Sequence, residues 1–557
     1  MQPQLFDRRQ AIAAAMSTGM FAGLLGVSTV ARAVTLQIEN EPKADSITAK
    51  QIADSCWIAG VTWTDQQCEE VAAAINQKLK MLRVVRENPP VEDTPMPLAF
   101  LPSFFVANST PSEPTPPKQP AVHWSENIEL PEWTSMKDVV NWSIPQLAVG
   151  IRKGCFTSVE LTEFYLERLT SVNEKLLCTV TMNPNAIESA KMRDSELKQG
   201  KDRGILHGIP WGAKDIISIQ GLPTSWGVGR YADRHWETTA TVAKRLEDAG
   251  AVLLAKLSVG TMAWGDEWHR GKTKNPWNPE QGSSGSSAGS ASAVAARAVP
   301  FALGTETLGS IVSPTRVCAT SGLRPTFGRV SRAGCMTLAW TMDKVGPIAN
   351  RVEDCAIIFR ELLGVDGSDP TVVERPYEWP APIELRGMKI GTLARLRPSE
   401  EQFKEWLVDH GAEMVPIEFP AAPMSLMLEA LSAEAASVHD SLFRSAKDDQ
   451  ELGKWGPTFR EAQWIRAIDY LHGVRSRVKM IRETEDKLQQ VDFLIGDGDL
   501  ARMNLTGHPS LVVAFGKEKE RNRPMTVVLT GRMFSEAKLL EIGRLLQQSN
   551  PPVVLES

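Results

Sequence analysis

Gln281-Gly282-Ser283-Ser284-Gly285-Ser286-Ser287-Ala288-Gly289-Ser290-Ala291-Ser292 runs without a break into the small apolar stretch Ala293–Val299. Glycine and serine at this density give backbone freedom and let amides approach one another closely, which suits a catalytic loop leading into a buried helix. A flexible linker has the same composition, but linkers are seldom followed at once by an apolar helix and a second glycine-bearing loop. That second loop is Gly304-Thr305-Glu306-Thr307-Leu308-Gly309-Ser310-Ile311-Val312-Ser313-Pro314. Upstream, Gly208-Ile209-Pro210-Trp211-Gly212-Ala213-Lys214-Asp215 sets a lone lysine in mostly apolar, turn-forming company.

Around these loops, from Trp133 to about Gln548, apolar strands alternate with amphipathic helices. The pattern predicts helices at Val159–Val172, Thr238–Ala249, Val352–Leu363, Arg460–Leu488 and Ser535–Gln547. It predicts strands at Val252–Ala255, Gly387–Leu393, Phe493–Ile495, Leu511–Ala514 and Thr526–Leu529. Such alternation implies an α/β fold, with one large central mixed β-sheet covered by helices on both faces over residues 133–557. No internal repeat is visible.

The front of the chain reads differently. In residues 1–33, Arg8-Arg9 precede an apolar stretch from Ala11 to Val30, and Ala31-Arg32-Ala33 supplies the small-x-small pattern of a cleavage site. The paired arginines resemble a twin-arginine signal; Gln10-Ala11 after them departs from its usual apolar pair, which leaves Sec export open. The expectation is export to the periplasm. An uncleaved anchor is the alternative, but Ser17, Thr18, Gly19, Gly23 and Gly26 interrupt the stretch, and no stable membrane association is expected. Residues 34–86 open on a polar lead-in and then predict two helices, Thr48–Ala59 and Thr64–Leu82. Residues 87–132, with Asn88-Pro89-Pro90 and the run Pro111–Pro120, predict an extended linker or a strap across the surface.

The formal charge of −6 comes from 61 basic and 67 acidic residues that are interspersed, so nothing suggests a nucleic-acid partner. Seven cysteines (Cys56, Cys68, Cys155, Cys178, Cys318, Cys335, Cys355) show no paired short spacing, which disfavours zinc sites and redox motifs. An odd number leaves at least one thiol unpaired in an oxidising compartment.

Taken together, the lysine-bearing Ala213-Lys214-Asp215 turn, the Gly/Ser loop and Thr305-Glu306-Thr307-Leu308-Gly309-Ser310 resemble the amidase signature family. The likeness extends through Asn275-Pro276-Trp277-Asn278-Pro279, Gly322-Leu323-Arg324-Pro325-Thr326 and Asn504-Leu505-Thr506-Gly507-His508-Pro509, over most of residues 137–548. The resemblance implies Lys214 as catalytic lysine, Ser286 as bridging serine after a cis Gly285–Ser286 bond, and Ser310 as the acylated nucleophile. It implies an oxyanion hole at Thr307, Leu308, Gly309 and Ser310. The 24-residue step from Ser286 to Ser310 fits the family and picks Ser286 from among Ser283, Ser284, Ser286, Ser287, Ser290 and Ser292. Glu306 is expected to fix the loop by hydrogen bonds; an ordinary solvated glutamate is the alternative.

Serine needs a neighbouring base, and lysine can be that base only when neutral, so a dry pocket must lower its pKa by several units. A Ser-His-Asp triad is the competing arrangement. His207, His269, His472 and His508 lie in suitable loops, but the only Gly-x-Ser-x-Gly match, Gly285 to Gly289, lies inside the Gly/Ser loop and follows no evident strand. No metal or organic cofactor is implied.

Two departures from the family, Ser287-Ala288-Gly289 and Lys256-Leu257-Ser258, remove no reacting group. The third is larger: between Phe493 and Asn504 the family's long excursion is nearly absent, which implies a more open pocket.

The resulting expectation is an exported hydrolase of small-molecule or peptide amides, with homo-oligomerisation left open. A glutaminase-type amidotransferase subunit passing ammonia to a partner is the second reading, because Ser46-Ile47-Thr48 and Gly60-Val61-Thr62-Trp63-Thr64-Asp65 resemble the amidotransferase C subunit. A generic helical hairpin explains the same segment. A catalytically impaired amide-binding protein is the third.

Overall fold

The computed structural model describes residues 46–87, 128–496, 499–518 and 522–555. The expected export signal and most of the proline-rich stretch lie outside the described residues. Eleven strands form one mixed sheet: β1 (Thr179–Met182), β2 (Pro210–Lys214), β3 (Val252–Leu257), β4 (Phe301–Glu306), β5 (Ser321–Arg324), β6 (Lys344–Ala349), β7 (Lys389–Thr392), β8 (Glu413–Pro416), β9 (Phe493–Ile495), β10 (Ser510–Phe515) and β11 (Met525–Thr530). Their spatial order is β1-β3-β2-β4-β6-β5-β10-β11-β9-β7-β8. β2 runs parallel to both β3 and β4, whereas β6 is antiparallel to β4 and β5. Every residue of β2, β4, β6 and β10 is buried. Because successive side chains of a strand point to opposite faces, both faces of the sheet's centre are covered.

The helices that matter for the site are α1 (Ala49–Ala59), α2 (Asp65–Glu87), α3 (Ser158–Leu176), α4 (Ala288–Ala295), α5 (Val312–Val317), α6 (Val352–Glu361), α7 (Met424–Val438), α8 (Gly456–Ala462), α9 (Ala467–Leu488), α10 (Leu500–Thr506) and α11 (Glu536–Ser549). Their ends follow capping chemistry. Thr157 Oγ1 accepts from Glu160 N while the Glu160 carboxylate accepts from Thr157 N, which closes the first turn of α3. Thr48 and Gln51 do the same for α1, and Gly60, with φ at +65°, ends it. α4 packs on β4, α6 on β6, and α11 on β10. The main core runs continuously from Val139 to Leu546 through these layers.

One helix expected over Arg460–Leu488 is two. The chain leaves helical geometry at 463–466, where Trp464 meets Trp63 edge-to-face at 6.4 Å and Arg466 restarts the helix by pairing with Asp469 at 2.7 Å. A tertiary contact outside the periodicity of the segment thus decides the break. Helices α1 and α2 form a hairpin around Ile52, Cys56, Cys68, Val71 and Ala72. It is seated on α7, α8 and the chain near Arg444 by the Trp63–Trp464 contact, by Arg444 Nη1 donating to Ala59 O at 2.9 Å, and by Lys78 beside Glu429 at 3.1 Å. A largely apolar cavity of about 380 Å³ lies between hairpin and body and shares no lining residue with the site described next. Among the described residues no helix is long and apolar enough to cross a membrane.

Candidate active site

Lys214 is the last residue of β2, and Thr305 and Glu306 end the neighbouring parallel strand β4, so Lys214 and Thr305 meet at the strands' carboxyl ends while Glu306, the next residue, turns to other partners. Sites in sheets of this kind form at such edges. The Gly/Ser loop reaches the same place from the other direction. Gly285 passes so close to the chain that a Cβ there would lie 1.8 Å from Gly265 O. The Gly285–Ser286 peptide is cis, and Ser286 and Ser287 then precede α4.

Lys214 Nζ is fully buried and surrounded by four neutral oxygens: Ser286 Oγ at 2.9 Å, Ser287 Oγ at 3.0 Å, Thr305 Oγ1 at 2.8 Å and Thr305 O at 3.1 Å. An ammonium brings three protons and no lone pair, so four oxygens cannot all receive one, whereas a neutral amine can accept from a hydroxyl. Burial lowers the Lys214 pKa to about 7, working against the Asp343 and Glu306 carboxylates, which raise it. Asp215 does not compete for the amine: it pairs with the buried Lys256 at 3.0 Å, and Lys256 also reaches Thr224 Oγ1 at 2.7 Å.

Ser310 is 5% exposed and sits in the turn between β4 and α5. Its carbonyl accepts from Ser287 N at 3.1 Å, which fastens the Ser310 backbone to the residue beside Ser286. The Ser310 hydroxyl makes no hydrogen bond to Ser286 among the described residues. Gly309, with φ at +91°, shapes the turn, and a Cβ there would lie 2.8 Å from Leu500 Cδ2. Among the described residues the amides of Thr307, Leu308 and Gly309 donate no internal hydrogen bond. A cavity of about 180 Å³ reaches Thr305 and Thr307 and is lined further by Ile216, Met336, Leu338 and Asp343 among others; Lys214, Ser286, Leu308, Gly309 and Ser310 are not in its lining.

Residues 160–496 match the Amidase family. The chain belongs to this family. A glutamyl-tRNA(Gln) amidotransferase subunit from Roseiflexus castenholzii is 32% identical over 476 residues, covering 74% of this chain and 96% of that relative. The peptide amidase from Stenotrophomonas maltophilia superposes with a TM-score of 0.67 at 29% identity, covering 75% of this chain and 99% of its own. An amidase family protein from Bacillus anthracis gives 0.67 at 29% identity, with 74% and 91% covered. The protein is therefore an amidase, a hydrolase of amide C–N bonds.

In this amidase Glu306 is nearly inaccessible and fully engaged. One carboxylate oxygen accepts from Ile311 N at 2.7 Å and Val312 N at 2.8 Å; the other accepts from Arg324 Nη1 at 2.9 Å and Asn504 Nδ2 at 2.8 Å. Burial works against the charged carboxyl, but the Arg324 and Lys344 cations and these hydrogen bonds outweigh it and hold its pKa below the ordinary carboxylate value. Glu306, buried at 1% exposure, thus ties the Ile311 and Val312 end of the turn carrying Ser310 to Arg324 and Asn504.

Residues that sequence reasoning did not assign complete the site. Thr305 and Ser287 touch the lysine directly. Asp343 accepts from Thr307 Oγ1 at 2.6 Å and from the Leu338 and Ala339 amides at 2.8 and 3.0 Å, tying the turn to the pocket wall. Thr305 opens the Thr-Glu-Thr motif, and Ser287 is one of six neighbouring serines. Asp343 lies in a segment with no catalytic signature, and only the pairing of β6 with β4 brings it near. Of the histidines, His508 is buried between Thr506 Oγ1 at 2.7 Å and Glu485 at 3.0 Å, and His207 contacts Arg193 O at 2.9 Å. Neither forms a hydrogen bond with a site serine.

Proposed function

We propose that this amidase cleaves its substrate through an acyl-enzyme on Ser310, with Ser286 and Lys214 relaying protons. The observation that carries the reading is the buried Lys214 amine, with a pKa lowered to about 7, held 2.9 Å from Ser286 Oγ. Ser310 Oγ attacks the amide carbon as Ser286 takes its proton and passes one to neutral Lys214. On this reading the Ser310–Ser286 hydrogen bond forms in the substrate complex, where catalytic hydrogen bonds commonly tighten. The tetrahedral oxygen receives hydrogen bonds from the amides of Thr307, Leu308 and Gly309, which have no acceptor among the described residues. The relay then runs backwards, protonating the nitrogen so that it leaves as ammonia or amine. Water attacks the ester and regenerates the hydroxyl.

The test is a serine-directed fluorophosphonate with the adduct mapped by mass spectrometry. The expected adduct is on Ser310, absent in Ser310→Ala and strongly slowed in Lys214→Ala. An adduct on another serine overturns the assignment.

The substrate class the site fits is a small or peptide-like amide. An amidotransferase component is the second reading, favoured by the name of the 32% identical relative. Ammonia release from simple amides by the purified chain supports the first reading; strict dependence on a co-purified partner chain supports the second.

Export through Arg8-Arg9 is a separate proposal, resting on the sequence of residues 1–33. Its test is the N-terminus of protein from a periplasmic fraction, expected near Val34. An intact Met1 in the cytosol overturns it.

A further inference from the structure

Outside the active site, one pair of nucleophilic side chains stands apart. Cys56 lies in the last turn of α1 and Cys68 in the first turn of α2, and the five residues between the helices fold the two ends back on each other. Both are buried, at 6% and 1% exposure, in the same small core with Ile52, Val71 and Ala72. Their thiols are free in the structure. Burial first, and then the Cys68 thiol in the same core, push the Cys56 thiol's pKa up.

The other five cysteines are differently engaged. The Cys178 sulfur faces Thr179 Oγ1 at 3.8 Å, Cys318 faces Ser283 O at 3.6 Å, and Cys355 faces Ser321 O at 3.7 Å. Cys155 and Cys335 are half-buried in other parts of the core.

We infer that Cys56 and Cys68 are a disulfide site that staples α1 to α2. Neither sulfur has a catalytic role to serve, and the bond would close the turn of a hairpin whose own core is only a handful of residues. A helix as short as α1 is marginal by itself, and a cross-link to α2 limits the unfolded chain. The chemistry is thiol–disulfide exchange with a small-molecule disulfide. One cysteine thiolate attacks that disulfide and releases one small thiol; the second cysteine attacks the mixed disulfide and releases the other. Two protein thiols are oxidised and one disulfide is reduced to two thiols. A thiol whose pKa is raised supplies little thiolate at neutral pH, so closure is slow there and faster as pH rises. That behaviour belongs to a structural bond and not to a catalytic one.

The hairpin is seated on α7, on Trp464 just after α8 and on Arg444, through Lys78, Trp63 and Ala59. The staple therefore fixes one wall of the 380 Å³ cavity as well as the hairpin itself. It is independent of the amide chemistry.

The experiment equilibrates the full chain in a reduced and oxidised glutathione buffer at sub-denaturing urea, so that local opening exposes the buried thiols. The chain is then alkylated and digested without reduction. The expected product joins the peptides of Cys56 and Cys68, with the other five cysteines alkylated. Hydrogen exchange across residues 49–80 is expected to slow at least about tenfold on oxidation, and not in Cys56→Ser. Recovery of Cys56 and Cys68 as alkylated thiols, as stable glutathione adducts, or in bonds to other cysteines overturns the inference.

Discussion

In the proposed relay Lys214 acts as a base only in proportion to the fraction of it that carries no proton, and desolvation sets that fraction. With its pKa brought from 10.5 to about 7, the amine loses its proton as pH rises through neutrality, so kcat/KM rises across that range and levels above it. Asp343 is the leading group that opposes this shift. Asp343→Asn removes a negative charge facing the lysine, so the amine releases its proton more readily and the acidic limb moves to lower pH. The asparagine oxygen can still accept from the Leu338 and Ala339 amides, but its NH2 replaces the oxygen to which Thr307 Oγ1 donates, so that tie to the turn is disturbed and the plateau falls. A plateau that falls with no movement of the limb would show that Asp343 acts on structure alone. The measurement is kcat/KM from about pH 5 to 9, alongside a melting curve.

At the scale of elements, the proposed oxyanion hole asks the turn between β4 and α5 to hold three amides together, and Gly309, with its positive φ, shapes that turn. Its φ of +91° is costly for any residue with a Cβ, and that Cβ would meet Leu500 on α10. Gly309→Ala is expected to lower kcat by about 10²–10³-fold, the usual effect of spoiling one oxyanion donor, while the protein stays folded by circular dichroism. Adding Leu500→Ala removes the contact but not the backbone strain, so little activity returns; full recovery would assign the defect to crowding. The same stretch shows what the sequence could and could not disclose. The glycines and the lysine announce the loops because backbone freedom and chemistry are local. The strands they hang from, β2, β4 and β6, contain Pro210, Gly212, Gly304, Gly346 and Pro347 and read poorly as strands. Their identity comes from burial on both faces, a property of the assembled sheet. The partners of Glu306 divide the same way: Ile311 and Val312 are neighbours in sequence, while Asn504 arrives from 198 residues away.

Across the whole molecule, the hairpin and the body meet at a place where charge does not balance. Lys78 stands between Glu429 at 3.1 Å and Glu461 at 3.6 Å, one cation facing two carboxylates. Burial raises both carboxyl pKa values, and Lys78 works against that rise. A carboxyl with a raised folded pKa weakens the fold once pH exceeds its unfolded value and ceases to do so where it is protonated. Lys78→Met removes the opposing cation and lifts both pKa values further. The variant is therefore expected to lose on the order of 1–2 kcal/mol at pH 8, less than a fully buried pair would cost because the lysine remains partly solvated. The deficit should shrink as pH falls toward 5. Proteolysis sites should appear first in residues 49–80, because the seam opens before the sheet does. A deficit that is constant with pH would mean that Lys78 contributes through its aliphatic stem against Leu426 and Ile75 and not through charge; the hairpin would then be held by its apolar contacts, Trp63 on Trp464 foremost.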